Sequence, residues 1–396
     1  MIERPEYLRE LISFKDKDLI KIITGIRRCG KSTLFDLYIE YLLKNGINEK
    51  QIIRLNLEDY EFNDIENYDN LYTYINSRLL NNKMNYVFID EVQKVVDFQK
   101  AVDSLYIKKN VDLYITGSNS RLLSGELATL LSGRYVEIKM LPLSFKEYIS
   151  YVGSTDIQQK YVEFITNSSF PYTLMLNSKK DIKMYLDGLY NTVIVNDIVE
   201  RKEISDITML KDIIKFMFDN IGNLCSSTSI ANTMTSNGRK ISVPTVEKYL
   251  DALVEAFVLY KVPRYDIKGK NYLVTGSKYY LSDVGLRYYL LGSKNMDEGR
   301  ILENIVYLEL LRRGYEIYVG KNDDSEVDFV AINEKGEEYY QVSYTVKEEK
   351  TLERELKPLD NIDDHNPKYL LTADFTPYKS YNGIKQINVF DWLLEK

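Results

Sequence analysis

Gly25-Ile26-Arg27-Arg28-Cys29-Gly30-Lys31-Ser32 matches the pattern G-x-x-x-x-G-K-[ST] in full. It follows the apolar run DLIKIITG (18–25) and leads into the helical pattern TLFDLYIEYLL (33–43). A strand, a glycine-rich turn and a helix in that order read as a phosphate-binding loop. The glycines allow backbone N–H groups to surround the phosphates, and the helix adds the positive end of its dipole. In this reading Gly25, Arg27, Arg28, Cys29, Gly30, Lys31, Ser32 and Thr33 line a nucleotide. Lys31 reaches the β- and γ-phosphates and Ser32 ligates Mg²⁺, so ATP and Mg²⁺ are the expected cofactors. Cys29 has two readings: a low-pKa, oxidation-sensitive thiol near a helix N-terminus, or a residue at a variable position.

Four more strand-sized runs continue outward: QIIRLNL (51–57), NYVFIDE (85–91), VDLYITGS (111–118) and YVEIKML (135–141). Continuous apolar runs predict strands buried on both faces, as in a parallel sheet covered by helices. Val87-Phe88-Ile89-Asp90-Glu91 brings two carboxylates to the end of such a strand. Asp90 is the expected Mg²⁺ ligand and Glu91 the general base for an attacking water. Thr116-Gly117-Ser118-Asn119 ends the next strand, where Ser118 or Asn119 either contacts the γ-phosphate or lytic water or forms a plain turn. Arg134, before the fifth run, is either an arginine finger aimed at a neighbouring subunit's nucleotide or a surface arginine.

Composition narrows the chemistry. Among 396 residues there is one histidine, His365, and two cysteines, Cys29 and Cys225. A Cys/His zinc cluster, a disulfide framework and an N-terminal Ser-His-Asp or Cys-His nucleophile are excluded. Backbone amides, lysine, hydroxyls, carboxylates and a metal suffice for phosphoryl transfer. The net charge of −7 makes the whole chain a poor nucleic-acid glue. The start, MIERPEYLRE, lacks a signal-peptide core, and no apolar run nears eighteen residues, so a cytoplasmic protein without a membrane span is expected.

Beyond Pro142 the pattern becomes helical to about Ser205. Residues 206–290 read as helix, helix, turn and helix followed by a basic hairpin tipped by Lys268-Gly269-Lys270, the outline of a winged helix-turn-helix. Residues 236–290 carry nine Lys/Arg and five Asp/Glu, a local charge of +4. Segregated positive charge of this kind suits a phosphate backbone, although winged helices also serve as protein-binding or lid modules. From Gly299 come a long amphipathic helix, then EIYVG, EVDFVAI and EYYQVSY with NEKG as a hairpin turn, and a final strand and helix. Glu303, Asp328 and Gln341-Val342-Ser343 resemble the PD-(D/E)xK nuclease pattern, which holds a divalent metal between acidic groups. Ser343 stands where that pattern has lysine, and Lys347, four residues on, lies on the same face about 13 Å further along at strand rise. A binding or scaffold domain is therefore expected ahead of a nuclease.

GIRRCGKST, VFIDEVQKV, ITGSNS, LSGRYVEI and LPLSFKEY, with VNDIVERKEI, KYYLSDVGLR and LENIVYLELLRRGY further on, resemble prokaryotic AAA+ ATPases in which a phosphate-loop domain precedes a domain of unknown function. The resemblance covers nearly the whole chain. It implies an α/β fold with a P-loop NTPase core of parallel strands in the order 5-1-4-3-2 over residues 1–143. It further implies a helical lid over 144–205, a winged helix over 206–290, and a restriction-endonuclease-like α/β domain over 291–396. The implied activity is Mg²⁺-dependent ATP hydrolysis coupled to movement of the partner-binding region. DNA through the winged helix, and a second copy of the chain served by Arg134, are the partners left open. An ATP-gated regulator or scaffold with little turnover, and a metal-dependent DNA nuclease, are the alternatives.

Overall fold

All five apolar runs are strands in the computed structural model, which describes residues 2–120, 131, 133–293, 297–323, 325–375 and 378–395. They are β1 (Ile20–Thr24), β2 (Ile52–Asn56), β3 (Asn85–Asp90), β4 (Val111–Gly117) and β5 (Tyr135–Lys139). All pair in parallel in the order β2-β3-β4-β1-β5, the 5-1-4-3-2 order implied by the resemblance. The central strands β1 and β3 are buried at every position, as continuous apolar runs require. The edge strand β2 alternates instead, with Ile53 and Leu55 inside and Arg54 exposed. Helices α1 (Pro5–Ser13), α2 (Lys31–Lys44), α3 (Tyr68–Asn76) and α4 (Phe98–Tyr106) belong with this sheet in a first compact unit, residues up to Pro142 together with Glu255–Phe257.

One face of the sheet is closed by aromatic residues. Phe88 stacks on Tyr114 at 4.8 Å between centroids, and Tyr38 and Phe35 from α2 pack edge-on against Phe88. Burying rings of this size contributes about 1.5–3 kcal/mol each. The hydroxyls are paired: Tyr38 and Tyr114 share a 2.9 Å hydrogen bond, and Tyr114 donates to Asp112 Oδ2 at 2.8 Å. Asp112 also pairs with Lys21, whose side chain is wholly buried and donates further to the Lys17 carbonyl at 2.9 Å. Here tyrosine fills core while its hydroxyl completes a polar network.

The second unit takes Leu143–Val254 and Val258–Lys396. It begins with helices α5 (Phe145–Val152), α6 (Ile157–Asn167), α7 (Lys179–Gly188) and α8 (Asn196–Lys202), then α9 (Ile207–Asp219), α10 (Ser227–Ser236) and α11 (Val243–Glu255). The hairpin follows as β6 (Leu259–Asp266) and β7 (Asn271–Leu281). The helical pattern VPTVEKYLDALVEAFVLY (243–260) runs on through Tyr260, whereas α11 stops at Glu255. Phe257, with a left-handed φ of 56°, turns the chain into β6. After α12 (Val284–Leu291) and α13 (Glu298–Arg312) come β8 (Glu316–Asn322), β9 (Ser325–Asn333), β10 (Gly336–Ser343), α14 (Glu349–Asp360), β11 (Lys368–Thr372), β12 (Lys379–Tyr381), β13 (Ile384–Asn388) and α15 (Val389–Leu394).

These strands form one sheet in the order β12-β13-β11-β10-β9-β8-β6-β7. The hairpin read from sequence as a wing is therefore the edge of the same sheet as the C-terminal strands, joined through parallel β6–β8 pairing from Arg264 to Asp266. Its outer strand is also tied to α13. The Asn304 side chain accepts from Leu281 N at 2.8 Å and donates to Leu281 O at 2.9 Å.

The Lys21–Asp112 pair yields a test of the first unit's stability. Removing one partner of a buried pair leaves an uncompensated charge and costs about 3–5 kcal/mol, whereas replacing both by apolar groups is close to neutral. Lys21→Met is expected to lower the urea unfolding free energy by roughly that amount. Adding Asp112→Leu is expected to recover most of the loss, though not the Tyr114 hydroxyl's acceptor.

Candidate functional site

The loop between β1 and α2 is shaped by three left-handed residues, Gly25 (φ 152°), Arg28 (φ 67°) and Gly30 (φ 108°). At Gly25 a Cβ would lie 2.1 Å from the Met140 carbonyl oxygen, so no other residue fits. Gly30 precedes α2, whose start has no side-chain cap and no acidic residue in its first turn. Its first N–H groups are thus left to an external acceptor, the arrangement that favours an anion. Ser32 is exposed at this start and Thr33 is half-buried. Arg27 pairs with Glu58, and Arg28 is exposed.

Lys31 is only 4% exposed and donates to the carbonyls of Gly25 at 3.0 Å and Ile26 at 3.3 Å. Its ammonium lies 3.6 Å from Glu91 Oε1. Glu91 follows β3 in a left-handed conformation, φ 53°, uncommon for a residue with a side chain. Its N–H donates to Thr116 Oγ1 at 3.0 Å, and Thr116 in turn donates to Asp90 Oδ1. Among the described residues Asp90 Oδ2 is buried without a hydrogen-bond partner, the condition expected of a carboxylate prepared for a cation. Burial opposes ionisation of Glu91, but Lys31 and the Gln93 amide outweigh it and hold the carboxyl below its ordinary range. Gln93 Nε2 donates to Glu91 Oε2 and, at 3.4 Å, to Ser118 Oγ.

The structure thus brings Lys31, Asp90, Glu91 and Ser118 to one edge of the sheet, with Asn119 half-buried beside Ser118 at the end of β4. Arg134 is not among them. It precedes β5, at the opposite end of the strands and roughly 15–20 Å from Gly25 at strand rise. There its guanidinium pairs with Asp103 at 2.6 Å. Cys29 is fully buried, and burial pushes its thiol up despite the nearby Lys31 and Arg4. The acidic, reactive thiol reading is therefore corrected: desolvation outweighs the helix terminus.

Two contributors escaped the sequence reading. Thr116 bridges the two carboxyl-bearing residues. Arg4, 2% exposed, donates to the Cys29 carbonyl at 3.0 Å and to the Leu141 carbonyl at 2.8 Å, strapping the loop to the end of the first unit. Local pattern gives no sign of Arg4, whose partners lie 25 and 137 positions away.

The second unit gathers another set. Glu303 on α13 and Asp328 on β9 come together as the sequence resemblance implies, and Gln341 is adjacent. The lysine among them is Lys278 of β7, 3% exposed, with Nζ 2.9 Å from Glu303 Oε1, 2.9 Å from Glu326 Oε1 and 3.5 Å from Asp328 Oδ1. Tyr280 donates to Glu303 Oε1 at 2.6 Å. Lys347 is 81% exposed and reaches Asp374 instead, and Ser343 Oγ donates to the Thr345 carbonyl. The local charge of +4 is also revised: Lys278 and Arg287 are buried, whereas Arg239, Lys240, Lys248, Lys261, Lys268 and Lys270 are exposed.

No helix among the described residues is long and apolar enough to cross a membrane. Residues 17–149 match the family described as AAA domain, and residues 158–297 match a domain of unknown function (DUF8612). An uncharacterized protein of Haemophilus influenzae is 41% identical over 401 residues, covering 100% of this chain and 99% of that one. Uncharacterized protein MJ1544 of Methanocaldococcus jannaschii is 32% identical over 397 residues, covering 94% and 85%. Among solved structures, the Walker-type ATPase PABY2304 of Pyrococcus abyssi aligns with a TM-score of 0.43 at 15% identity, covering 73% of this chain and 96% of that one. With a phosphate loop on a 2-3-4-1-5 sheet and a relative of this identity along its full length, the chain belongs to the prokaryotic AAA+ ATPases that carry a C-terminal domain of unknown function.

Proposed function

We propose that the first unit binds ATP with Mg²⁺ at Gly25, Arg27, Arg28, Cys29, Gly30, Lys31, Ser32 and Thr33 and hydrolyses it, and that the cycle changes how the second unit holds a DNA partner. The strongest support is the buried Lys31 ammonium, held among the described residues by loop carbonyls and Glu91 beside an uncapped helix start. A polyanion arriving there offers Lys31 stronger partners, so one binding event frees both the loop and the Glu91 carboxylate. Ser32 and Asp90 would hold Mg²⁺, which stabilises negative charge on the transferring phosphoryl group. Glu91, kept ionised, takes the proton of the attacking water, and Asn119 orients that water or the γ-phosphate from the end of β4.

Arg134 serves another copy's site in this scheme, since it lies at the far end of its own sheet. Its partly exposed pair with Asp103 is of a kind that contributes about 0–1 kcal/mol, so releasing it costs little. Arg4 supplies a route for coupling. A shift of the Cys29 carbonyl pulls on the Leu141 carbonyl, immediately before the chain enters the second unit. DNA is favoured by the six exposed basic residues of 236–290.

Lys31→Ala is expected to abolish ATP binding in a fluorescent-nucleotide titration, whereas Glu91→Gln should bind ATP while turnover falls at least a hundredfold. Failure of the intact chain to bind ATP overturns the reading. Measurable binding with negligible turnover, with or without DNA, would favour the ATP-gated regulator.

The acid limb of kcat/KM follows Glu91. A carboxyl held below the ordinary value of 4.5 stays ionised as pH falls, so activity is expected to persist to that point. Gln93→Ala removes a hydrogen bond to the charged form, raises the pKa and moves the limb to higher pH. A limb that stays in place would remove Glu91 from the base role.

Complementation tests Arg134. Arg134→Ala and Lys31→Ala chains, each inactive alone, are expected to regain turnover when mixed. Only an intact loop from one and an intact arginine from the other can then share a site.

A further inference from the structure

A metal-dependent nuclease centre needs oxygen ligands converging on one empty point, about 2.0–2.1 Å from each in the case of Mg²⁺. In the second unit that point is taken by the chain itself. An ammonium has three N–H donors and no acceptor. Lys278 donates to Glu303 Oε1 at 2.9 Å and Asp328 Oδ1 at 3.5 Å, and its ammonium pairs with Glu326 Oε1 at 2.9 Å, so three carboxylates from different positions surround it.

The remaining ligands of the resembled pattern are committed elsewhere. Asp328 Oδ2 accepts from Val342 N at 2.9 Å. Gln341 Oε1, the carbonyl that could have faced a metal, accepts from Asp328 N at 3.3 Å, while its amide donates to Glu355 Oε2 at 2.9 Å. Among the described residues no group of three acidic, histidine or cysteine side chains is arranged to hold a metal ion. With Lys278 in place the donor set therefore does not fit the divalent cation that the nuclease resemblance implies.

We propose that Lys278 is the resident cation of this centre, standing in the place of a divalent metal, and that the C-terminal half is a metal-independent binding module rather than a nuclease. The charge is consistent with a monovalent occupant. Burial disfavours the charged ammonium, but Glu303, Asp328 and Glu326 overcome it and raise the pKa, so Lys278 remains protonated. The gain is mechanical. Lys278 and Tyr280 both anchor to Glu303, so the outer strand of the basic hairpin is pinned to α13 at a point where a solvated ion could leave and a side chain cannot.

This inference is independent of the nucleotide reading and is tested with that site silenced. The full-length chain carrying Asp90→Asn is titrated with Mn²⁺ by calorimetry and incubated with linear DNA and Mn²⁺. No saturable binding and uncut DNA are expected. Saturable binding that Asp328→Asn removes, or cleavage that it abolishes, would overturn the proposal. In the same background Lys278→Met vacates the point, and this variant is expected to gain a single Mn²⁺ site and a Mn²⁺-dependent rise in melting temperature. A folded Lys278→Met chain that ignores Mn²⁺ would equally refute it, because its carboxylates would then not converge on a cation position. The titration of the chain with Lys278 intact decides the matter even where Lys278→Met does not fold.

Discussion

A lysine ammonium removed from water must be surrounded by oxygen, and three buried lysines meet that requirement in three ways that organise both units. Lys21 is closed permanently by Asp112 inside the first sheet, where the tyrosine network finishes the pairing. Lys278 is closed permanently by three carboxylates of the second unit. Lys31 differs. Two of its contacts are neutral loop carbonyls and its nearest carboxylate oxygen lies at 3.6 Å, so its shell is the weakest of the three and the readiest to be exchanged. The same desolvation cost that makes two lysines structural makes the third receptive to a polyanion.

That contrast also explains what could be read in the sequence. The five core strands, their parallel character and the phosphate loop were legible because each depends on local chemistry: apolar continuity, a strand–turn–helix order, and glycine where backbone must approach backbone. Gly25 is the clearest case, since its pattern position and its collision with Met140 are one requirement seen at two scales. Lys278 was legible only as a positive charge in a basic segment. Whether a charge faces water or carboxylates 25 to 50 residues away is fixed by strand register and helix docking, which no local window contains. Thr116 and Arg4 escaped for the same reason. The early stop of α11 turns on a left-handed phenylalanine, Phe257, a residue type that gives no local hint of that conformation.

The carboxylates of the two units illustrate how the same groups take different tasks from their surroundings. Among the described residues Asp90 keeps one oxygen buried and unpartnered, whereas both oxygens of Asp328 are engaged. Glu91 is held in its charged form by a lysine that can be drawn away, whereas Glu303 shares one oxygen between a lysine and a tyrosine that are both fixed in β7. Capacity for a cation lies in what the rest of the fold leaves unsatisfied, and a count of acidic residues misses it.

The basic charge that survives folding bears on how a partner meets the second unit. On α11, the helix that would read bases in a winged helix-turn-helix, the exposed charged positions are Glu247, Lys248 and Asp251, a net negative face. A phosphate backbone is repelled from such a face. The exposed positive residues instead occupy the turn before α11, at Lys240 and at Arg239, which pairs with Asp212, and the hairpin, at Lys261, Lys270 and Lys268, which pairs with Asp323. Tyr272, 65% exposed and packed on Tyr265 and Tyr318, stands two residues beyond Lys270 and offers a ring beside those charges. Phosphate contact through a rigid, pinned hairpin carries little base-specific information. Under the proposed DNA role, this unit would therefore grip the nucleic-acid backbone, with weak sequence preference and a steep dependence on salt.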